Sequence, residues 1–251
     1  MKSENNKSMD KIEGRNPVME ALRSGRTIDK ILVQKGEKQG SVIKILALAK
    51  EKRIAVSYVE KAKLDKLSTS HSHQGIIAYA AAKEYVSVSD IIKIAKSKNE
   101  HPFIVICDDI ADPHNLGSIL RSANAAGVHG VIISKHNSVG LSATVAKTSA
   151  GAVEFTPVAK VSSIARTIEQ LKKENIWVVG ADMDGENTIY THDFSGSVAI
   201  VIGNEGKGIS HLVKEKCDFI VRIPMLGKIS SLNASVAGAL MIYEVVRSRQ
   251  N

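Results

Sequence analysis

The sequence predicts an α/β protein made of two units, the second of them built on a parallel sheet. Apolar β-type segments alternate with segments of helical periodicity along most of the chain, which is typical of α/β proteins. The later strand segments are almost continuously apolar, as at 198–202, and this is typical of parallel strands covered on both faces. A length of 251 residues fits two domains.

The first predicted domain covers residues 12–83 and follows a polar segment, 1–11, expected to be disordered. Asn16 and Pro17 are typical of an N-cap followed by proline at the first helical position, and Gly25 is expected to end that helix. Strands are predicted at 28–33, 54–59 and 75–82, and helices at 41–52 and 62–67. The charged segment 84–101 is predicted to be a linker with one helix at its centre.

The second predicted domain covers residues 102–249 and repeats the alternation of strand and helix. Strands are predicted at 103–107, 130–133, 153–158, 176–181, 197–202 and 219–223. Helices are predicted at 115–126, 142–149, 162–173, 208–215 and 232–248.

Composition and charge narrow the class of protein. The net charge of +8 favours a polyanionic partner such as nucleic acid, although a basic protein without such a partner shows the same excess. Cys107 and Cys217 are too few and too far apart for a disulfide framework or a zinc site. We expect a cytoplasmic protein, because no apolar leader is visible and no apolar run reaches the roughly 18 residues that span a membrane.

A first polar cluster, 108–121, follows a predicted strand and opens a helix. Ligands of open α/β sheets bind at such strand ends. Asn115 fits a helix cap, the common role of asparagine there. Arg121 lies on a different face from the apolar stripe of the helix, so it either contacts a ligand or is a solvated charge.

Two further clusters follow later strands. The first, 203–208 (Gly-Asn-Glu-Gly-Lys-Gly), lacks the residue order of a phosphate-binding P-loop and by itself is equally compatible with a plain turn. The second, 223–237, leads from Ile223-Pro224 into a helix rich in small residues, which fits close helix packing, a crowded chain path or a dimer face.

Together the three clusters resemble the SpoU (TrmH-like) branch of the SPOUT RNA methyltransferases. The resemblance is carried by Asn115 with Arg121, by the cluster 203–206, and by Ile223-Pro224 with the segment 231–237. The stretch 14–22 and the later segment 73–76 are similar to the L30e-like substrate-binding domain of the two-domain members. The resemblance therefore spans most of the chain and is closest to the RlmB-like group.

The resemblance implies a deep trefoil knot near the carboxyl end and S-adenosylmethionine (SAM) as cofactor. Gly203, Ile223 and Leu232 match positions that bind the cofactor through backbone groups and apolar side chains. The implied activity is 2'-O-ribose methylation of RNA, most closely that of a 23S rRNA guanosine. A tRNA ribose methyltransferase of the same family and a non-catalytic RNA-binding or ribosome-assembly protein are the alternatives.

The resemblance also implies roles for the polar residues. Arg121 matches the arginine that the family uses to deprotonate the ribose hydroxyl, but guanidinium groups normally stay protonated. Arg121 is therefore equally expected to bind the RNA phosphate and to stabilise the developing alkoxide. Orientation of Arg121, ribose and cofactor is assigned to Asn115, Glu205, Ser231 and Asn233. A homodimer through the catalytic domain is implied, with no metal.

His71 and His73 are weighed separately, because paired histidines sometimes bind metal. Nothing nearby supplies Cys or Asp at ligand spacing. An exposed loop that contacts RNA is the favoured interpretation, and Arg15 is expected to add to it. Lys61, Lys63 and Lys66 are expected to form a solvated helix face that also binds phosphate.

Overall fold

The structure is a computed structural model that describes residues 9–37, 40–69 and 72–250. Its strands, in chain order, are β1 (Met9–Glu13), β2 (Ile28–Gln34), β3 (Ala55–Val59), β4 (Ile76–Ala81), β5 (Phe103–Cys107), β6 (Gly130–Ser134), β7 (Val158–Val161), β8 (Trp177–Ala181), β9 (Asn187–Thr188), β10 (Val198–Ile202) and β11 (Phe219–Arg222). Its α-helices are α1 (Arg15–Arg23), α2 (Gly40–Glu51), α3 (Lys61–Leu67), α4 (Val88–Ser97), α5 (Pro113–Ala125), α6 (Ala143–Thr148), α7 (Ile164–Lys173), α8 (His211–Lys216) and α9 (Ala234–Gln250).

The described residues form two compact units. The first takes the chain up to Glu84 together with Leu141–Phe155, and the second takes Tyr85–Gly140 and the chain from Thr156 onward. The units therefore do not follow the predicted division into consecutive segments. Of the residues predicted as a linker, 85–101 belong to the second unit, where Ile91 and Ile92 of α4 are buried in the core.

A four-stranded sheet, in the order β1-β4-β2-β3, organises the first unit. Only β2 and β3 run parallel. One face of this sheet packs against α1 and α2, with Val18, Ile31 and Ile45 fully buried. The other face carries a smaller cluster in which Leu64 of α3 is buried. The alternation of strand and helix predicted for this unit is confirmed.

The start of the first unit differs from the prediction in two ways. Residues 9–11 were expected to be disordered but lie in β1, which pairs with β4 at the sheet edge. Helix α1 begins at Arg15, ahead of Asn16, and its N-cap is Gly14 at φ 98°. Glycine adopts this backbone conformation without the steric cost that a side chain brings. Gly25 follows the helix end at φ 77°, in keeping with its predicted role.

The segment 141–155 contributes α6 and a short 3-10 helix, Ala152–Glu154, to the first unit. The strand predicted at 153–158 is therefore wrong, and the strand begins at Val158. Gly151 is the N-cap of the 3-10 helix at φ 88°, a left-handed conformation that glycine adopts readily and that does not continue into a strand. Val145 and Val153 are buried, so the segment is packed on both of its helices.

The second unit holds a seven-stranded sheet in the order β7-β6-β5-β10-β8-β11-β9. Every pairing in it is parallel, as the continuous apolar segments predict. β10 therefore lies between β5 and β8, and the carboxyl ends of these strands meet at one edge. Helix α9 packs against α5 and β10, which brings the last helix beside the first cluster of polar residues.

A buried ion pair joins two distant segments of the first unit. Arg26 Nη1 lies 2.7 Å from Glu154 Oε1, with side-chain exposures of 8% and 1%. Arg26 also contacts Asp10 and donates from Nε to the Ala81 carbonyl at 2.9 Å. Glu154 Oε2 has no hydrogen-bond partner among the described residues, so the ion pair with Arg26 at Oε1 is the direct neutralising contact of this carboxylate.

We expect Arg26→Met to lower the free energy of unfolding by about 3 kcal/mol or more, because a buried carboxylate loses its counter-charge. Urea denaturation at neutral pH measures this change. Arg23→Ala is the matched control, since the Arg23–Glu20 pair is exposed, at 58% and 25%, and exposed pairs contribute little. Equal unfolding free energies for wild type and Arg26→Met would contradict the assignment.

Candidate active site

A cavity of about 400 Å³ opens at the carboxyl ends of β8, β10 and β11. Ligands of parallel α/β sheets bind at this edge, where the strand order reverses. Three loops supply its walls: 181–184 after β8, 202–208 after β10 and 223–237 after β11. The lining residues are Ala181, Asp182, Met183, Asp184, Ile202, Gly203, Asn204, Glu205, Gly206, Lys207, Gly208, Ile223, Met225, Ser230, Ser231, Leu232, Ala234 and Ala237.

The loop after β10 turns sharply because two backbone segments approach each other closely. A Cβ on Gly203 would lie 2.2 Å from the carbonyl carbon of Gly208 and 2.3 Å from the nitrogen of Ile209. Gly208 itself has φ 67°, where side chains are disfavoured. The Asn204 nitrogen donates to the Gly208 carbonyl at 2.9 Å, and the Gly208 nitrogen returns a bond of 2.8 Å.

Asn204 holds this loop through its side chain, a role that the sequence analysis did not assign. Its Oδ1 accepts hydrogen bonds from the backbone nitrogens of Gly206 and Lys207, at 2.9 and 3.3 Å. Its Nδ2 donates to the carbonyl of Asp109 at 3.1 Å. Asparagine directly after a glycine is a turn signal, so the sequence indicated a turn here but not the contact with residue 109.

Asn115, Glu205 and Asn233 come together although they belong to three separate clusters of the sequence. Asn233 Nδ2 donates to Asn115 Oδ1 at 2.9 Å and to Glu205 Oε2 at 3.3 Å. Asn115 Nδ2 approaches the same carboxylate oxygen at 3.4 Å. Asn233 Oδ1 also accepts from the Ser235 nitrogen at 3.0 Å, which caps the start of α9. Asn233 is thus held by α9 on one side and by Asn115 and Glu205 on the other.

Asn115 was also expected to cap α5, and this expectation is wrong. The cap is Asp112, whose carboxylate accepts from the His114 nitrogen at 2.9 Å, and Pro113 occupies the first turn. The helix therefore begins earlier than predicted. Asn115 is the third residue of this helix, is buried, and directs its amide to the triad.

The predicted cofactor residues Gly203, Ile223 and Leu232 all line the cavity, and Glu205 and Ser231 line it as well. Arg121 does not line it. Its side chain is exposed on α5, and within the described ranges it makes no hydrogen bond or ion pair. The structure thus brings together every predicted site residue except Arg121.

Two aspartates form an acidic wall of the cavity that the sequence analysis did not identify. Lys214 of α8 bridges them, with Nζ 2.9 Å from Asp182 Oδ1 and 2.6 Å from Asp184 Oδ2. Hydrogen bonds to Asp184 and then Asp182 raise the pKa of Lys214 above its ordinary value. No local sequence signal pairs residue 214 with 182, because their proximity arises from the sheet order.

A second pair of acids lies behind the loop after β10. Asp108 is buried, and its Oδ2 accepts from the Ser210 nitrogen at 2.8 Å. Burial and the neighbouring Asp108 raise the pKa of Asp109, while a hydrogen bond with Asn137 and the charge of Lys207 act in the opposite direction. Asp109 has φ 55°, a left-handed conformation that aspartate tolerates better than most residues.

The first unit carries the basic residues predicted to contact RNA. Lys61, Lys63 and Lys66 are exposed on α3, as expected. His73 is not exposed: its Nε2 lies 2.9 Å from Asp65 Oδ1, and its Nδ1 accepts from the Gly75 nitrogen. The prediction of an exposed His73 is therefore wrong, because this ring fastens the loop before β4. His71 lies outside the described residues.

Arg15 is also partly committed to the fold. Its Nε donates to the Gln74 carbonyl at 2.9 Å, and its Nη2 lies 3.2 Å from Glu37 Oε2.

Across residues 9–37, 40–69 and 72–250 no group of three or more His, Cys, Asp or Glu side chains is arranged to hold a metal ion. Over the same ranges no helix is long and apolar enough to cross a bilayer.

Two known family models match this chain, each over a different part of the sequence. A family model described as the SpoU rRNA Methylase family matches residues 102–243, and one for RNA 2'-O ribose methyltransferase substrate binding matches residues 11–86. YacO of Bacillus subtilis (strain 168), named as a TrmH family tRNA/rRNA methyltransferase, is 48% identical over 240 residues, which are 96% of each chain.

Solved structures agree over nearly the whole chain. The crystal structure of an RNA 2'-O ribose methyltransferase has a TM-score of 0.82 and 29% identity, and the match covers 98% of this chain and 91% of that one. AviRb from Streptomyces viridochromogenes, in complex with the cofactor AdoMet, has a TM-score of 0.82 and 26% identity, with 96% and 90% covered.

We expect Gly203→Ala to destabilise the fold by roughly 2–3 kcal/mol, because its Cβ would overlap backbone that cannot move aside cheaply. Thermal or urea denaturation measures the loss. Gly206→Ala is the matched control in the same loop, since its Cβ would meet only Asn204 Oδ1 at 3.6 Å. If both variants unfold at the wild-type midpoint, the close approach does not constrain this loop.

Proposed function

This chain belongs to the SpoU (TrmH-like) family of SAM-dependent RNA 2'-O-ribose methyltransferases, and we propose that its substrate is a guanosine of 23S rRNA. The polar triad of Asn115, Glu205 and Asn233 beside a cavity that fits the cofactor is the observation that supports methyl transfer. The choice of a 23S rRNA guanosine follows from the resemblance to the RlmB-like group. The match of residues 11–86 to a model for RNA 2'-O ribose methyltransferase substrate binding supports an RNA substrate.

The cavity fits SAM by size and by lining. Its volume of about 400 Å³ lies within the usual range of roughly 300–1,000 Å³ for small-molecule sites. We assign the adenosine part to the backbone of Gly203 and to the apolar side chains of Ile223 and Leu232. The backbone at Gly203 can approach a ligand closely because no side chain intervenes. When bound, the cofactor supplies an electrophilic methyl group.

The triad and Ser231 are proposed to orient the ribose and the cofactor for an in-line approach, and positioning alone contributes much of the rate in such reactions. Asn233 caps α9 and contacts both Asn115 and Glu205, so a change there would move all three groups. Glu205 offers a carboxylate oxygen that accepts hydrogen bonds from hydroxyl and amide groups.

Arg121 is proposed to bind the RNA phosphate next to the target and to stabilise the alkoxide that forms on the ribose. Its guanidinium is exposed, and exposed guanidinium groups keep their charge. A planar fork of donors fits a phosphate well. Arg121 does not line the cavity of its own chain. We therefore propose that it meets the ribose through bound RNA, or that it acts at the cavity of a second subunit.

A homodimer through the second unit is proposed on exposed apolar side chains near the cavity. Val236, Leu240 and Tyr243 form a stripe along α9 with exposures of 47%, 38% and 52%. Leu226 and Ile229, in the loop that also lines the cavity, are 99% and 67% exposed. Contiguous apolar surface of this kind usually marks an interface. We also propose that the trefoil knot implied by the family is formed by the two cavity loops at 203–208 and 223–233.

RNA affinity is proposed to reside mainly in the first unit. Lys61, Lys63 and Lys66 are exposed, and in the described part of the chain they have no acidic partner. Lysines that bind phosphates release counterions, so RNA binding should weaken steeply with salt.

The test uses purified full-length protein, labelled SAM and unmodified transcripts of 23S rRNA and of tRNA. We expect methyl transfer to 23S rRNA, and alkaline hydrolysis followed by sequencing should place the 2'-O-methyl on one guanosine. Transfer to tRNA alone would replace the rRNA assignment by a tRNA substrate. Binding of SAM and RNA without transfer to either would favour a non-catalytic RNA-binding protein.

Arg121→Ala is the variant arm of this experiment. We expect methyl transfer to fall at least about a hundredfold, as for loss of one stabilising donor, while SAM binding stays within twofold. Arg121→Lys should recover little, because an ammonium lacks the planar fork. Arg166→Ala, at an exposed arginine of α7, is the matched control. Wild-type turnover of Arg121→Ala would overturn the role of Arg121.

We expect light scattering at micromolar concentration to give twice the chain mass of 27.0 kDa. Leu240→Glu should convert the protein to monomers and reduce methyl transfer, since a charge in the apolar stripe cannot be buried cheaply. Leu212→Glu, at a similarly exposed leucine of α8, is the control and should leave the dimer intact. A monomeric wild type would remove the proposed interface.

A further inference from the structure

More acidic than basic side chains line the cavity. Three carboxylates line the cavity, those of Asp182, Asp184 and Glu205, against one lining lysine, Lys207. Lys214 lies behind the wall and contacts Asp182 and Asp184. Asp182 is the more buried of the two aspartates, at 16% exposure against 80% for Asp184. The lining therefore offers a cation more favourable contacts than a neutral ligand.

Methyl transfer changes the charge of the cofactor at one atom. SAM carries a positively charged sulfonium, and when the S–C bond breaks its electron pair stays on sulfur. The product, S-adenosylhomocysteine, has a neutral thioether at that position. The two molecules are otherwise alike, so shape alone separates them poorly, whereas an electrostatic field separates them directly.

We propose that Asp182 and Asp184 are specificity-determining residues that make the cavity prefer the cationic cofactor over its neutral product, with Lys214 as the residue that positions them. The inference rests on the proposed function, because it takes this cavity as the SAM site. Lys214 cannot neutralise both aspartates, since one ammonium faces two carboxylates. A negative charge therefore remains at the wall.

This field reaches across the cavity. The Debye length at physiological salt is roughly 8 Å, comparable with the dimensions of a 400 Å³ cavity. Asp184 is well exposed, so solvent screens its effect, and removal of one such charge should change relative affinity by about two- to fivefold. Loss of the sulfonium charge on transfer weakens binding of the spent cofactor and so favours its release.

The experiment measures the dissociation constants of three ligands by calorimetry on the full-length protein. SAM is cationic at the reacting position, sinefungin carries a protonated amine there, and S-adenosylhomocysteine is neutral. We expect Asp184→Asn to weaken SAM and sinefungin by about two- to fivefold and to leave S-adenosylhomocysteine unchanged. Lys207→Gln removes a positive charge, so it should strengthen binding of SAM and sinefungin relative to S-adenosylhomocysteine. Asp184→Glu keeps the negative charge and should keep the wild-type preference.

Glu169→Gln is the matched control, because Glu169 is an exposed carboxylate paired with Lys216 of α8, 2.6 Å away, and does not line the cavity. It should leave all three constants unchanged. Equal shifts of SAM and S-adenosylhomocysteine in Asp184→Asn would overturn the inference and leave the aspartate a purely structural role. If the wild-type protein binds none of the three ligands, the assignment of the cofactor cavity itself fails, which is a separate and recognisable result.

Discussion

The parallel pairing of β10 between β5 and β8 is the constraint on which the site depends. Ile202 is in register with Cys107 of β5, and Val201 with Gly180 of β8. The chain therefore leaves three neighbouring strands at one edge of the sheet, and the polar residues that follow them are brought within reach of one another. The tight turn at Gly203 then closes the loop after β10 against its own return segment, and this leaves room for a ligand beside it.

Polar side chains from distant parts of the chain meet at that edge. Asn115 and Asn233 are 118 positions apart in sequence, yet they share a hydrogen bond of 2.9 Å. Asn204 ties the loop after β10 to the loop after β5, and Lys214 ties the loop after β8 to α8. Each contact joins segments that follow different strands of the sheet, so the arrangement of the site depends on the order of the strands. Hydrogen bonds of this kind fix the side chains of the candidate site in one arrangement.

Much of the fold could be predicted from the sequence, because the signals are local. Continuous apolar segments identified the parallel strands, and periodicity identified most helices. The three motifs also predicted Gly203, Ile223 and Leu232, which line the cavity, and the residues that form the triad. The strand expected at 153–158 was wrong: residues 152–154 form a 3-10 helix in which Glu154 is buried against Arg26. Such a partner, distant in sequence, leaves no local trace.

The sequence by itself determined the α/β class and the parallel second sheet through its periodicity. The resemblance of its three motifs, taken together, indicated the family and the residue types of the site. Only the tertiary structure decided that the segment 141–155 belongs to the first unit and that His73 is buried against Asp65. It also decided that two aspartates form the acidic wall of the cavity. The physical reason is the same in each case: burial and charge neutralisation depend on which segments meet in space, and the order of strands in the sheet, rather than the order of residues in the chain, sets those meetings.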